Sequence, residues 1–134
     1  MNKLINKAYS EAKLAQKNAY APYSKFNVGA ALVDQNENIW RGCNVENGSY
    51  GATICAERVA IFNSIAHGGT TQFKFILLVT DPKAVPCALC LQVLSEFCRP
   101  DFKIILATPQ EIYQEVTLGE LLPTPFNADL LSSK

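Results

Sequence analysis

Excess charge is the first thing this sequence lacks. Its 12 lysines and arginines are balanced by 12 aspartates and glutamates, and no Lys/Arg run breaks the balance. A chain without a basic surplus has no electrostatic footprint for a nucleic-acid backbone. That weighs against a polynucleotide-editing or RNA-binding protein, whose affinity rests on phosphate contacts. Zero net charge also gives little repulsion between copies, which is compatible with self-association. Long apolar runs are missing too. The longest, Phe73 to Thr80, contains Lys74 and is too short to cross a membrane. Met1 to Lys7 is polar, with no apolar signal core, so a soluble, cytoplasmic protein is expected. Repeats, low-complexity tracts and linkers are absent. A length of 134 residues with 49% apolar content suits one domain, residues 1–134. Without a secretory signal, the glycosylation sequon Asn47-Gly48-Ser49 reads as chance.

Cysteine is present, and its arrangement carries the chemistry. There are five, an odd number, two of them in Pro86-Cys87-Ala88-Leu89-Cys90. In a reducing compartment that favours metal or redox use over a disulfide framework. Cys55-Ala56-Glu57 supplies a third thiol and a carboxylate. Structural zinc sites are closed by four protein ligands, whereas catalytic ones keep three and a water. Cys55, Cys87 and Cys90 as ligands leave that fourth position to water, and Glu57 is placed to move its protons. Three thiolates give Zn²⁺ a formal charge of −1, which Arg58 partly offsets. Thiolates make the metal less acidic, so a nearby base is needed. The expected reaction is hydrolytic deamination of an amidine-like carbon. A structural site using Cys43 or Cys98 as a fourth ligand, or a redox C-x-x-C, remains the alternative. His67 reads as a helix-end residue.

The periodicity predicts a helix over Asn2–Asn18, with Leu4, Ile5, Tyr9, Ala12 and Ala15 roughly on one face. Pro22 stops it. Phe26–Asp34 and Asn38–Gly42 read as a hairpin, and Asn44–Ala52 as a polar loop. A buried helix is expected from Thr53 or Ile54 to about Ala66, then a buried strand over Phe73–Thr80. Pro86 suits the first turn of a helix reaching about Phe97. Lys103–Ala107 and Glu111–Val116 read as strands, the latter at an edge. A short helix over Thr117–Leu122 precedes a Pro-bearing tail. Alternating strands and helices imply an α/β fold, here a three-layer α/β/α mixed sheet of about five strands. Both cysteine-bearing helices follow strands, so both can begin at the same end of the sheet, where such folds usually bind ligands.

These motifs resemble the small, homotetrameric, zinc-dependent cytidine deaminases. The resemblance is carried by Pro22-Tyr23-Ser24-Lys25-Phe26-Asn27-Val28-Gly29-Ala30-Ala31-Leu32, Asn44-Val45-Glu46-Asn47, Cys55-Ala56-Glu57-Arg58, Pro86-Cys87-Ala88-Leu89-Cys90 and Leu121-Leu122-Pro123. It implies one zinc per subunit and cytidine or deoxycytidine as substrate. Asn44 and Glu46 then bind the sugar hydroxyls, Phe26 packs on the pyrimidine, and backbone near Ala56 reads the base. Glu57 meets ring N3. Phe126 reaches a neighbouring subunit's site, and Tyr50 makes an intersubunit contact. Another aminopyrimidine nucleoside, such as blasticidin S, is the alternative substrate. Two positions depart from the usual Pro-Cys-Gly-x-Cys-Arg-Gln pattern: Ala88 replaces the glycine and Leu91 the arginine. Without that arginine, more of the charge compensation falls to Arg58 and helix amides. Leu91→Arg is then expected to move the acidic limb of the rate–pH profile downward.

Overall fold

Gly29 to Asp34 joins small and apolar residues into a strand buried along its whole length, and a strand covered on both faces demands a layer on each side. In the computed structural model, which describes residues 2–132, this is β1 (Gly29–Asp34). It pairs antiparallel with β2 (Ile39–Cys43) and, on its other edge, with β3 (Phe73–Val79). β3 runs parallel to β4 (Lys103–Ala107), which pairs antiparallel with β5 (Ile112–Thr117). The order across the sheet is β2-β1-β3-β4-β5. The helices are α1 (Asn2–Lys17), α2 (Ala56–Ala66), α3 (Ala88–Phe97) and two four-residue turns, α4 (Leu118–Leu121) and α5 (Asp129–Ser132).

Side chains alternate between the faces of a strand, and two separate cores result. Ala30, Leu32, Ile76, Leu78, Ile104 and Leu106 pack against Ala56, Ala60 and Ile61 of α2 and Leu91 and Leu94 of α3. Ala31, Val33, Phe75, Leu77, Val79, Ile105 and Ala107 pack against Ala8 and Ala12 of α1. The expected three-layer α/β/α arrangement around a mixed five-stranded sheet is the one observed.

Two glycines set how closely the outer layers approach the hairpin. A Cβ on Gly29 would lie 2.0 Å from the Ala12 carbonyl oxygen of α1. A Cβ on Gly42 would lie 2.2 Å from the Ala56 carbonyl oxygen and 2.5 Å from the Ala60 nitrogen of α2. The backbones touch at both places, which only glycine permits. Gly42 therefore seats the first turn of α2, and with it Cys55 and Glu57.

Most boundaries shift by about one residue or less; the larger differences fall at β1, α2 and α3, and the first two have long-range causes. β1 begins at Gly29, not Phe26, because the Asn44 side chain takes up backbone groups there. Its Oδ1 accepts from Val28 N at 2.9 Å and its Nδ2 donates to Phe26 O at 2.7 Å. α2 begins at Ala56, not Thr53 or Ile54, since Ile54 exchanges two backbone hydrogen bonds with Val45, both 3.0 Å. Those bonds hold residue 54 extended and leave Cys55 as the N-cap. α3 begins at Ala88, with Cys87 as its N-cap and Pro86 before it rather than in its first turn. The turn at Tyr50–Ala52 is a short 3₁₀ helix inside the expected loop. α4 carries a capping box between Thr117 and Glu120.

Candidate active site and metal centre

Cys55 and Cys87 are the N-caps of α2 and α3, both with extended backbone, and neither side chain caps its helix. Their thiols are free to turn toward each other. Cys90 lies on the first turn of α3, on the face it shares with Cys87. The result is a cluster of three: Cys55 Sγ is 3.7 Å from Cys87 Sγ, which is 3.4 Å from Cys90 Sγ. All three sulfurs lie within 4.8 Å of one another. A tetrahedron with zinc–sulfur bonds of about 2.3 Å has sulfurs about 3.8 Å apart, so these residues fit a zinc ion. The separations are far beyond a disulfide bond, and all five cysteines are free. Cys43 and Cys98 stand outside the cluster, and burial raises both thiols, Cys98 to about 12. Among the described residues, no fourth cysteine closes the site.

The electrostatics divide the cluster. Hydrogen bonding from Cys90, then from Arg58 and Cys87, draws the Cys55 thiol down to about 5. Cys90, facing that thiolate and buried, is pushed up. Arg58 Nη2 donates to Cys55 Sγ at 3.5 Å, and that contact in turn holds the guanidinium firmly protonated. Leu91 is 5% exposed and belongs to the core shared with Leu94 and Ile104. An apolar packing residue thus stands where the resemblance expects an arginine.

Glu57, one residue into α2, is 5% exposed. Burial raises its carboxyl to about 7, helped by the Cys55 charge. A group balanced near neutrality can both take and give a proton there. Titratable groups perturbed by burial beside a specific charge mark functional sites more often than chance.

Glu57, Cys55 and Cys87 open onto a cavity of about 290 Å³. Phe26, Asn44, Glu46 and Ala56 line it as well, so four of the five predicted substrate residues, all but Phe126, border one space. Ser24, Thr80, Ala84 and Val85 also line it and were not singled out from sequence. Ser24 belongs to the Pro22–Leu32 segment, where nothing local marks its role. A larger cleft of about 560 Å³ is lined by Phe73, Arg99 and Lys103 among others. It sits at the opposite end of β3 and β4 and, although Cys98 lines it, contains none of the three clustered thiols. His67 is the C-cap of α2 and stacks on Trp40 at 5.5 Å between ring centroids, away from the cluster. Phe126 and Tyr50 do not line the cavity of their own chain. Phe126 is 57% exposed and Tyr50 is 77% exposed. The Gln92 amide grips the Phe126 backbone twice, donating to its carbonyl at 2.9 Å and accepting from its nitrogen at 3.1 Å. Tyr50 meets Tyr23 edge-on, with ring centroids 6.1 Å apart.

Residues 2–106 match the family model for the cytidine and deoxycytidylate deaminase zinc-binding region. The chain is 40% identical over 130 residues to a cytidine deaminase of Sporosarcina psychrophila, covering 96% of this chain and 95% of the relative. It is 45% identical over 121 residues to one of Halalkalibacterium halodurans, covering 89% and 91%. A crystal structure of cytidine deaminase from Burkholderia pseudomallei superposes with a TM-score of 0.84 at 40% identity, covering 90% of this chain and 98% of that one.

Proposed function

We propose that this chain, which belongs to the cytidine and deoxycytidylate deaminase family, hydrolyses cytidine and deoxycytidine to uridine and deoxyuridine with release of ammonia. The observation that carries the reading is the convergence, at one end of the sheet, of three thiols at tetrahedral spacing and a buried carboxyl balanced near pH 7. Cys55, Cys87 and Cys90 would hold one zinc ion per subunit, which when bound supplies the Lewis acidity that makes water nucleophilic near neutral pH. Arg58 offsets the thiolate charge from within hydrogen-bonding distance of Cys55. Glu57 takes the two protons of the attacking water in turn, passing one to ring N3 and the other to the departing amine. Its pKa near the operating pH suits both transfers.

The lining supports the substrate placement that the family resemblance implies. Phe26 offers a ring to the pyrimidine, the backbone at Ala56 reads the base edge, and Asn44 and Glu46 face the sugar. A cavity of about 290 Å³ is at the lower end of small-molecule sites, suited to a nucleoside rather than a polynucleotide. Tyr23, Val45, Tyr50, Val85, Leu89 and Phe126 are all exposed on segments that border the cavity or its helices. In a homotetramer these side chains are covered, and Tyr50 and Phe126 complete a neighbouring site. Residues 1–134 act as one catalytic domain in the cytoplasm; no described helix is long and apolar enough to cross a membrane.

A substrate panel tests the reading. Cytidine and deoxycytidine should both be turned over, with blasticidin S and cytidine in single-stranded oligonucleotides far slower. Preferential turnover of either of the last two would replace the proposal.

A further inference from the structure

Ser24 is exposed and has no reactive role, yet it sits at the junction of three groups that face the cavity. Its hydroxyl donates to Glu46 Oε2 and accepts from Phe26 N at 3.0 Å. Glu46 Oε1 meanwhile accepts from the Tyr23 and Ser24 backbone nitrogens at 3.0 and 3.1 Å. Phe26 is held from its other side by Asn44, whose Nδ2 donates to the Phe26 carbonyl. One connected unit therefore runs Glu46–Ser24–Phe26–Asn44. The chain segment in between is strained, since Lys25 has φ 61, a left-handed conformation that costs a non-glycine residue energy and persists only where its surroundings impose it.

The acceptor count sharpens the point. A carboxylate oxygen accepts about two hydrogen bonds. Glu46 Oε1 is filled by two backbone N–H groups, and Oε2 has room for one more beyond Ser24. Asn44 has one N–H and one lone pair left after its bonds to Phe26 and Val28. Ser24 is thus what turns the remaining acceptor of Glu46 in a fixed direction, and it is the main reason the Glu46 carboxyl lies below the usual carboxylate range.

We infer that Ser24 is a positioning residue for sugar recognition: its hydroxyl locks the Glu46 carboxylate and the Phe26 backbone into one unit, so that Glu46 presents a single oriented acceptor to a nucleoside hydroxyl. The inference rests on reading the cavity as a nucleoside site. Ser24 acts on binding and not on the bond-breaking step, because Glu57 and the thiols are seated by α2 and α3 and not by this loop.

The test is steady-state kinetics on the full, zinc-loaded protein. Ser24→Ala should raise KM for cytidine about tenfold, equivalent to about 1.4 kcal/mol, with kcat changed less than about twofold. Ser24→Thr, which keeps the hydroxyl, should recover most of the loss. With 2′,3′-dideoxycytidine, which has no sugar-ring hydroxyl for Glu46 to accept from, parent and Ser24→Ala should have the same KM. A merely structural loop residue would raise KM for both substrates alike, or lower kcat, and either result overturns the inference. Should the alanine variant not fold, Ser24→Thr against Ser24→Val gives the same contrast at constant side-chain shape. If the parent protein does not turn over cytidine, the nucleoside reading itself falls; if it does and Ser24→Ala is indistinguishable from it, this inference alone falls.

Discussion

Gly42 offers the most direct link between a single backbone atom and the chemistry. A Cβ there would sit 2.2 Å from the Ala56 carbonyl oxygen and 2.5 Å from Ala60 N, where real contacts essentially never fall below 3.0 Å. Both clashing atoms are backbone, so no side chain can swing away, and α2 must retreat by about 0.8 Å or more to restore even the closest contact allowed. Overpacking of that kind typically costs about 1–3 kcal/mol. The retreating turn carries Cys55 and Glu57, and a misplacement of about 1 Å can cost about a hundredfold in rate. Gly42→Ala should therefore lower urea stability by about 1–3 kcal/mol and also weaken zinc retention and kcat. Gly29→Ala is the discriminating partner. Its clash, 2.0 Å from the Ala12 oxygen, pushes on α1 across the sheet, so it should lose comparable stability and keep zinc affinity. Gly51→Ala meets nothing within 4 Å and should be near neutral. Equal zinc affinity in Gly42→Ala and the parent, or an equal loss of zinc affinity in the Gly29 and Gly42 variants, would refute the reasoning.

Glu57→Gln should abolish turnover while leaving one zinc per chain by metal analysis. The same variant carries a pH signature in zinc-free protein. The folded carboxyl is raised to about 7 from 4.5, so the stability it contributes is present below pH 4.5 and lost as pH rises through 7. Removing that cost should make Glu57→Gln more stable than its parent at pH 8, by about 3 kcal/mol at about 1.4 kcal/mol per unit, and no different at pH 4 in denaturant titrations. Cys43→Ser should keep both zinc and activity, while Cys90→Ser should lose both; loss of zinc from the Cys43 variant would point to a closed structural site. Asn44→Ala leaves the Val28 N–H without its side-chain acceptor and should cost about 1–3 kcal/mol together with a raised KM for cytidine, read by urea melts and kinetics.

The clustering of three thiols was legible because its signal is local. Cys55, Cys87 and Cys90 each fall at the start of an apolar helical pattern that follows a strand, and the α/β alternation brings such starts to one end of a sheet. The layered fold was legible for the same reason, since Ala30 to Val33 and Phe75 to Val79 are apolar at every position. The rest depends on contacts between distant residues. Nothing near Ile54 announces that Val45 will hold it extended and move the start of α2 to Ala56. Nothing around Phe26 shows that Asn44 will replace the strand ladder there. Gly42 looks like an ordinary strand-end glycine until α2 is placed against it. Leu91 was read against the charge it displaces, whereas its observed neighbours are core side chains such as Leu94 and Ile104. That makes Leu91→Arg a packing change as well as an electrostatic one.

The central claim is that three cysteines hold a zinc ion whose remaining position is open to chemistry run with Glu57. Stepwise addition of zinc to metal-free protein, with cytidine loss followed by absorbance and bound metal measured at each step, tests it directly. Turnover should rise in proportion to zinc and level off at one ion per chain. Full turnover in protein without zinc, or one zinc bound per chain with no turnover, would contradict it.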